Sequence, residues 1–358
     1  MHLALFRSSL ILIALATVST SQTKTKWEQA YVWDEADSTL TLTGLRFFTA
    51  HRGVAAGFVK KIDKNAVFGE RESTRPVLLL TVDGGKTWAS QPLKEVPNSF
   101  FFLDDSRGWM ATESGVWRTE EGGRDWRRIA KLKGINDLVF LDEQHGFVVG
   151  EESAALETID GGVNWKPITQ SEKLKLDPDD VVFTTVAFSG DQRGFIAGFA
   201  GKSHSTATFL VSTNGGKTWA PSTNRVAGTL TRASFSADGP GLALLEFEGR
   251  TMYPSEVFRI DLATGESKAV FRRRDRHISD ILTLPDGSGV VAGVKAVGKE
   301  FPSPIPGSVR ILMSDDLFGW QEVPVDYRAE ARRVFLANAG DGKLWAATDT
   351  GTILRLVR

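Results

Sequence analysis

One eight-residue phrase recurs along the chain, and it restricts the possible folds more than any other feature. It reads TVDGGKTW at 81–88, TEEGGRDW at 119–126, TIDGGVNW at 158–165 and STNGGKTW at 212–219, with a shorter variant, SDDLFGW, at 314–320. Each full copy has a hydroxyl residue, an acid or amide two positions later, a glycine pair and a final tryptophan. A catalytic acid is needed once in a chain. Repetition therefore favours a structural role for these acids.

The spacing of the box tryptophans predicts a repeat of about forty residues. Trp88, Trp126 and Trp165 are separated by 38 and 39 residues, and Trp219 follows 54 residues later. The gap of 101 residues from Trp219 to Trp320 is long enough for two units. We therefore interpret DLATGES, residues 261–267, as the remnant of a decayed box. Periods of this length are typical of propellers and other repeat folds.

The residues around each box predict four short antiparallel strands. The segments 100–126 and 138–165 align throughout as an apolar strand, a polar turn, a Gly-aromatic strand, a second turn, a third strand and the box. Gly, Asp and Ser bound each strand, as is typical of hairpins. A fourth strand is predicted after the box tryptophan, for example RRIAKL after Trp126. Four strands per repeat make a propeller blade.

Counting the repeats gives seven. First strands are predicted near Leu45, Phe100, Leu138, Val186, Ala233, Ile281 and Val334. The last unit contains three strands, whereas KWEQAYVW at 26–33 resembles the segment that follows a box, with Trp27 in the tryptophan position. We therefore predict an all-β, seven-bladed β-propeller that is closed by the N-terminal strand completing the last blade. Closure would protect the sheet edge of an incomplete blade.

The beginning of the chain predicts export. Arg7 precedes the apolar run 10–18, and small polar residues follow. This pattern predicts a signal peptide over 1–21 and a propeller over 22–358, in the periplasm or outside the cell. The apolar run is shorter than the roughly 20 residues that span a bilayer. The chain has no cysteine, which excludes disulfides, thiolate catalysis and a lipid-modified cysteine at the cleavage site, and its net charge of −1 gives no general attraction to nucleic acid.

The residue types of the box fit a turn between the third and fourth strands. Glycines accept a positive φ without steric cost, and the acid or amide can accept hydrogen bonds from the amides of the turn. The tryptophans are expected to be buried between successive blades. The residues assigned to this structural role are Asp83, Trp88, Glu121, Trp126, Asp160, Trp165, Asn214, Trp219, Asp316 and Trp320.

The pattern Ser/Thr-x-Asp-x-Gly-x-x-Trp is the signature of the Asp-box, or BNR, repeat. Sialidases, xyloglucanases and sortilin-type receptors share it, but residues 26–358 most resemble the photosystem II stability/assembly factor-like family. The features of the resemblance are a single seven-bladed ring, an export signal, Gly-aromatic second strands and the Trp-initiated first strand. The resemblance implies a non-enzymatic propeller that binds other proteins and often helps a membrane complex to assemble. Members of this family also occur in bacteria that do not photosynthesise.

The alternative function is that of a sialidase-like or other glycoside hydrolase. A sialidase needs a tyrosine nucleophile paired with an acid and an arginine cluster. The tyrosines are Tyr31, Tyr253 and Tyr327, and the arginine motif that precedes the first blade in sialidases is missing. The histidines show no metal-ligand spacing, so we predict no metal. The paired acids 104–105 and 179–180 stand in turn-like contexts and no phosphate-binding or nucleophile motif is present, so we predict no catalytic residue and no cofactor. Convergent arginines with a Tyr–Glu pair in the central pocket would favour the enzyme.

The predicted topology gives the ring two different rims. The box rim carries the boxes, and the loop rim carries the links between blades and the long connections 60–76, 200–208, 248–256 and 294–308. Long loops on a rigid scaffold are common binding sites. The loop rim is predicted to be locally basic and to attract an acidic surface of a protein partner, with the chain acting as a monomer. The candidate partner-binding residues are Lys60, Lys61, Arg71, Arg75, Lys202, Arg250, Arg272, Arg273, Arg274 and Arg276.

A third possible function is that of an adhesin or a structural protein of the cell envelope. Such a protein would need several binding sites, and the sequence offers no second domain to supply them.

Overall fold

A computed structural model describes residues 25–64, 71–168, 181–201, 206–221, 226–237, 239–247, 252–296, 305, 307–328, 330–340 and 342–358. Within these ranges every regular element is a β-strand. The strands form seven sheets, which are the blades of a seven-bladed propeller. The predicted fold class is confirmed, and each predicted first strand begins a blade. The predicted signal peptide lies outside the described residues and stays a prediction.

The first strand along the chain, β1 (Lys26–Val32), belongs to the last blade. Blade 1 consists of β2 (Ser38–Phe47), β3 (Gly53–Asp63), β4 (Arg71–Thr81) and β5 (Ala89–Pro92). Blade 2 consists of β6 (Ser99–Phe102), β7 (Gly108–Thr112), β8 (Gly115–Thr119) and β9 (Arg127–Ala130). Blade 3 consists of β10 (Ile135–Phe140), β11 (Gly146–Gly150), β12 (Ala155–Thr158) and β13 (Lys166–Pro167).

Blade 4 consists of β14 (Val181–Ser189), β15 (Arg193–Ala200), β16 (Thr206–Ser212) and β17 (Ala220–Pro221), with β18 (Val226–Ala227) also paired to β16. Blade 5 consists of β19 (Thr229–Ser234), β20 (Gly241–Glu246), β21 (Ser255–Ile260) and β22 (Ser267–Arg272). Blade 6 consists of β23 (Arg276–Thr283), β24 (Gly289–Lys295), β25 (Val309–Ser314) and β26 (Gln321–Val323). After β27 (Val325–Asp326), blade 7 consists of β28 (Val334–Asn338), β29 (Leu344–Thr348), β30 (Thr352–Val357) and β1.

The ring closes through β1, as predicted. β1 pairs antiparallel with β30, where Trp27 lies opposite Leu356, and it also pairs parallel with the short strand β27. The amide of Trp27 donates to the carbonyl of Pro324 at 2.8 Å. The Trp27 side chain is completely buried. The N-terminal strand therefore joins the last blade to the link that leaves blade 6.

The boxes form the turns between the third and fourth strands. In the first box the Oδ1 atom of Asp83 accepts hydrogen bonds from the amides of Lys86 and Thr87, both at 3.0 Å, and from the hydroxyl of Thr81 at 2.9 Å. The Thr81 hydroxyl in turn accepts from the amide of Gly85 at 2.8 Å. Both glycines of this turn, Gly84 and Gly85, have positive φ, of 72° and 79°. The acid therefore holds the turn closed by satisfying its amides.

The same bonds recur at Asp160, Asn214 and Asp316, but not at Glu121. Asp160 accepts from the amides of Val163 and Asn164, and Asn214 accepts from the amide of Thr218. In the described part of the chain the Glu121 carboxylate accepts no such bond. The turn there is held by the Thr119 hydroxyl, which accepts from the amides of Glu121 and Gly123. Glu121 is therefore not an acceptor equivalent to Asp83, contrary to the expectation.

The box tryptophans contact aromatic residues of two blades. The Trp88 ring lies edge-on to Phe47 of its own first strand, at 5.8 Å between centroids, and Phe47 stacks at 5.0 Å on Trp345 from the second strand of the preceding blade. The same triplet recurs as Trp109, Phe140 and Trp165, and as Phe147, Phe188 and Trp219. This packing links neighbouring blades.

The expected burial of the box tryptophans is only partly correct. Trp219 is buried, at 2% exposure, but Trp88, Trp126, Trp165 and Trp320 are half-buried. Each half-buried ring makes an edge-to-face contact with a phenylalanine, at 5.8–6.1 Å between centroids, and the residue as a whole stays partly exposed. We therefore expect a smaller loss of stability for Trp126→Ala than complete burial would give, about 1–3 kcal/mol.

The pKa values of Asp83 and Asp160 predict a pH dependence of stability. Hydrogen bonds lower the pKa of Asp83 from 3.8 to about 2, with the largest contribution from the Thr87 hydroxyl. They also lower the pKa of Asp160 to about 2, with the largest contribution from the Asn164 amide. Because the folded pKa is the lower one, the ionised acids stabilise the fold above pH 4, and this contribution disappears as the pH falls towards 2.

The double variant Asp83→Asn/Asp160→Asn tests this pH dependence. Asn214 shows that an amide holds the same turn. We therefore expect the variant to fold and to lose less of its thermal stability between pH 4 and pH 2 than the wild type does. Melting temperatures followed by circular dichroism across this range provide the measurement. An unchanged slope would show that these carboxylates do not contribute to the acid sensitivity.

Candidate partner-binding faces

Four of the predicted cations lie on the long β3–β4 hairpin at the loop rim. Lys60 forms an ion pair with Glu72 at 2.7 Å, and Arg75 forms one with Glu35 at 3.2 Å. Lys61 lies 4.0 Å from the other oxygen of Glu35. Arg71 is exposed at the start of β4. The hairpin brings the cations together, but it places carboxylates between them.

The second predicted cation cluster lies on the link between β22 and β23. Arg276 forms ion pairs with Asp275 at 3.1 Å and with Glu322 at 2.9 Å, and Arg272 lies 3.5 Å from Glu256. Arg273 and Arg274 are exposed. The other two predicted cations, Lys202 and Arg250, lie outside the described residues. The described part of the loop rim is thus a surface of mixed charge, on which Arg71 and Arg273 are exposed.

A charged cluster at the loop rim spans blades 5, 6 and 7. The Glu246 carboxylate at the end of β20 accepts from His277 Nε2 at 3.1 Å and from an Arg333 guanidinium nitrogen at 2.9 Å. Burial opposes ionisation of Glu246, but the His277 hydrogen bond and the Arg333 charge outweigh it and hold the pKa of the carboxyl below its ordinary value. Three blades therefore share one ionised carboxylate at this rim.

The first strands of all seven blades surround a central cavity of about 420 Å³. In blades 1, 3, 4, 5 and 6 the pairing of the first strand with the second shifts register, and the residue after the shift lines this cavity. These residues are Gly44, Asp137, Thr185, Arg232 and Asp280. A bulge re-aims the side chains of its strand. The bulges thus place two acids and one arginine in the channel.

Asp137 connects three blades across the channel wall. Its Oδ1 atom accepts from the Ser99 hydroxyl at 2.6 Å and from the Leu138 amide at 2.9 Å. Its Oδ2 atom accepts from the Val186 amide at 3.0 Å and from the Thr185 hydroxyl at 3.2 Å. The donors come from blades 2, 3 and 4. The carboxylate is therefore bound into the scaffold rather than presented to a ligand.

Asp280 occupies the corresponding position in blade 6. It accepts from the amides of Ile281 at 2.9 Å and Leu336 at 2.7 Å, and its Oδ1 atom lies 3.8 Å from Arg232 Nε. Burial raises the pKa of Asp280, against the charge of Arg232. Arg46 also lines the channel as an exposed residue, and its guanidinium lies 5.5 Å from the ring centroid of Phe101. The channel therefore holds two acids and two arginines, and both arginines keep access to its interior.

The three tyrosines lie away from this cavity. The Tyr327 hydroxyl is 2.9 Å from the Thr350 hydroxyl, the Tyr253 ring lies 5.1 Å from the Arg272 guanidinium, and Tyr31 contacts Trp88. None of them is among the residues that line the channel. The described residues form no cluster of three or more metal-binding side chains, and they contain no helix with the length and apolar character of a bilayer-spanning segment.

Part of the chain matches the model of a known protein family. The model of the family described as "Photosynthesis system II assembly factor YCF48" matches residues 128–223. The chain is a BNR-type propeller that resembles this family. The matched region of this BNR-type propeller runs from β9 through blades 3 and 4 and includes two complete boxes. The family match thus rests on two of the seven blades.

Similar proteins of known sequence or structure carry the same family name. "Photosystem II assembly lipoprotein Ycf48" of Trichormus variabilis is 46% identical over 48 residues, which span 13% of each chain. The structure described as "YCF48 bound to D1 peptide" superposes with a TM-score of 0.59 at 19% identity and covers 91% of this chain and 99% of that one. YCF48 from Cyanidioschyzon merolae has a TM-score of 0.58 at 16% identity, with coverage of 92% and 98%. At these identities the two structural matches show the fold.

The charged residues of the channel and the cluster around Glu246 were not among the site residues predicted from the sequence. Asp137, Arg232 and Asp280 stand in strands that otherwise read as apolar or weakly polar, and alignment of the seven first strands would have placed them at one position. No pattern in the sequence indicated the ion pairs of the loop rim. Lys61 and Arg75 meet Glu35, which lies in the segment before blade 1, and sequence spacing does not reveal such contacts.

Proposed function

We propose that this BNR-type propeller is an exported, non-enzymatic scaffold that binds a polypeptide partner and assists the assembly of a membrane complex. The observation that carries the proposal is the family match over blades 3 and 4. The whole-chain likeness to a propeller described with a bound D1 peptide supports it.

We propose the loop rim as the contact surface for this partner. Its paired charges offer donors and acceptors at fixed positions, because Glu246, His277 and Arg333 are held by one another. The open cations Arg71 and Arg273 lie at its edge and can attract acidic residues of a partner. Charges at such positions mainly affect association rate and salt sensitivity. The balanced, hydrogen-bonded channel supports a structural role for the centre of the ring.

A pull-down with charge-reversed variants tests the proposed function. The immobilised chain is incubated with solubilised envelope of its own organism, and bound proteins are quantified by mass spectrometry. The test variant is Arg71→Glu/Arg273→Glu on the loop rim, and the matched control is Lys86→Glu/Arg124→Glu, two exposed cations of the box rim. We expect the test variant to recover at least fivefold less partner and the control to equal the wild type.

Two outcomes would contradict this proposal in different ways. If both variants recover the same partner as the wild type, and salt has no effect on recovery, the loop rim is not the contact surface. If no polypeptide is enriched over an unrelated propeller under any condition, the scaffold function is wrong. Raising the ionic strength from 0.1 M to 0.5 M should weaken a genuine loop-rim contact, because exposed charges are screened.

A further inference from the structure

Blade 5 differs from the other six at the position of the box tryptophan. In blade 3, for example, Thr158 pairs with Gly146, and the register places Trp165 opposite Thr158. The same register position holds Trp88, Trp126, Trp219 and Trp320 in blades 1, 2, 4 and 6, and Trp27 in blade 7. In blade 5 Ile260 pairs with both Gly241 and Ser267. Ser267 therefore stands where six blades carry an indole.

An apolar cavity of about 70 Å³ lies at this position, between blades 4 and 5. We name it the blade 5 pocket, and its principal lining residues are Phe195, Phe209, Phe258, Ile260, Leu262 and Ser267. Most of its lining residues are apolar, and they come from β15, β16, β19, β20 and β21 and from the turn after β21. The shortened turn at Asp261 thus leaves apolar surface between two blades that a box tryptophan covers elsewhere.

The aromatic neighbours of a box tryptophan are present in this pocket. Phe195 follows Gly194 on the second strand of blade 4, as Phe147 follows Gly146 in blade 3. Phe147 contacts the Trp219 ring edge-on at 5.6 Å. Phe195 contacts Phe209 and Phe235, at 5.9 Å and 5.6 Å. The walls that hold an indole in blade 4 are therefore retained in blade 5.

The mouth of the pocket is open beside the turn. Gly265 and Ser267 are exposed, and a methyl group added at Gly265 would meet no atom within 4 Å. The box tryptophans of four other blades are themselves half-buried. A guest ring therefore needs to insert only partly, and a small cavity with an open mouth is sufficient for it.

We propose that the blade 5 pocket binds one aromatic side chain of a polypeptide. Its lining offers few converging polar groups, which a free small molecule would need for orientation. A side chain is oriented by its own main chain. The adjacent β22 is six residues long and, among the described strands, pairs only with β21, so an extended segment can add along its free edge. The loop rim is not involved in this proposal, which goes beyond the function proposed above.

The probe for this site is N-acetyl-tryptophanamide, an indole with peptide groups on both sides. We expect it to bind the full chain with a Kd on the order of 1 mM, as befits one partly inserted ring. Titration is followed by NMR shifts of the Phe195 and Ile260 signals. Ser267→Trp should weaken binding at least tenfold, because its own indole fills the pocket, whereas Ser267→Ala should bind within twofold of the wild type.

A second variant guards against misfolding of Ser267→Trp. Ala207→Leu fills the pocket from blade 4, because Ala207 lines it, and it should also weaken binding.

Equal binding by the wild type and both filled variants would overturn the proposal. Binding of free indole without binding of N-acetyl-tryptophanamide would also overturn it and indicate a small-molecule site. Self-association that Ser267→Trp abolishes would indicate a second copy of the chain instead. Arg71→Glu/Arg273→Glu should bind the probe normally, which separates this test from that of the loop rim.

Discussion

Replacing Trp27 by alanine is expected to lower the free energy of unfolding by about 3–5 kcal/mol. The side chain is completely buried and packs in one cluster with Val290, Val334 and Leu354 from blades 6 and 7. Its removal would leave a cavity at the point where the first strand joins the last blade. The loss would be concentrated at the closure, so we also expect faster proteolysis near the N-terminal strand.

Equilibrium unfolding in urea measures this effect. Trp27→Phe is the conservative control and should cost only about 1–2 kcal/mol, because it keeps most of the apolar ring and removes an indole N–H that is buried without a partner. Trp165→Ala, at a half-buried box tryptophan, should lie between the two. A Trp27→Ala protein within 1 kcal/mol of the wild type would show that closure does not depend on this side chain.

Replacing Asp137 by alanine is expected to cost about 3 kcal/mol of stability. Four donors from three blades would lose their acceptor, and the amides of Leu138 and Val186 would be left facing the channel. A buried donor without a partner costs more than the bond itself contributes. We therefore expect the effect of this one side chain to exceed that of most exposed acids in the chain.

Asp286→Ala provides the matched comparison for Asp137. Asp286 accepts from the amide and hydroxyl of Ser288 in an exposed turn, where water can replace it. Its removal should cost less than 1 kcal/mol in the same urea titration. Asp137→Asn should retain part of the network and fall between these values. Equal losses for the two alanine variants would indicate that the channel carboxylate has no special structural role.

The fold was predictable because its information is local and repeated. A hydroxyl, an acid and a glycine within five residues define each turn, and the tryptophan that follows marks the start of the fourth strand. Even the decayed unit kept Asp261, which still accepts from the amides of Ala263 and Thr264. Trp27 could be assigned to the same position because the last repeat lacks a fourth strand, and the segment around Trp27 resembles the fourth strands of the other repeats.

The candidate site was less predictable because its contacts join residues far apart in the chain. Glu246 meets Arg333 across 87 residues, and Arg75 meets Glu35 across 40. The cations of the loop rim could be read from the sequence, but their neutralisation by carboxylates could not. The blade 5 pocket likewise could not be predicted without the pairing of β21 with β22. The sequence shows that a box tryptophan is missing, but it does not show whether neighbouring side chains fill its place.

The pairing of β1 with β30 affects the order in which the molecule can fold. Blades 1 to 6 are each built from consecutive strands and can form as hairpins soon after their residues become available. Residues 26–32 must instead wait for residues 352–357, the most distant strand pairing among the residues that the structure describes. Contacts across such separations form slowly. During synthesis and any translocation, the earliest strand therefore remains a free end until the last one arrives, and this interval is when the chain is most exposed to proteases and chaperones.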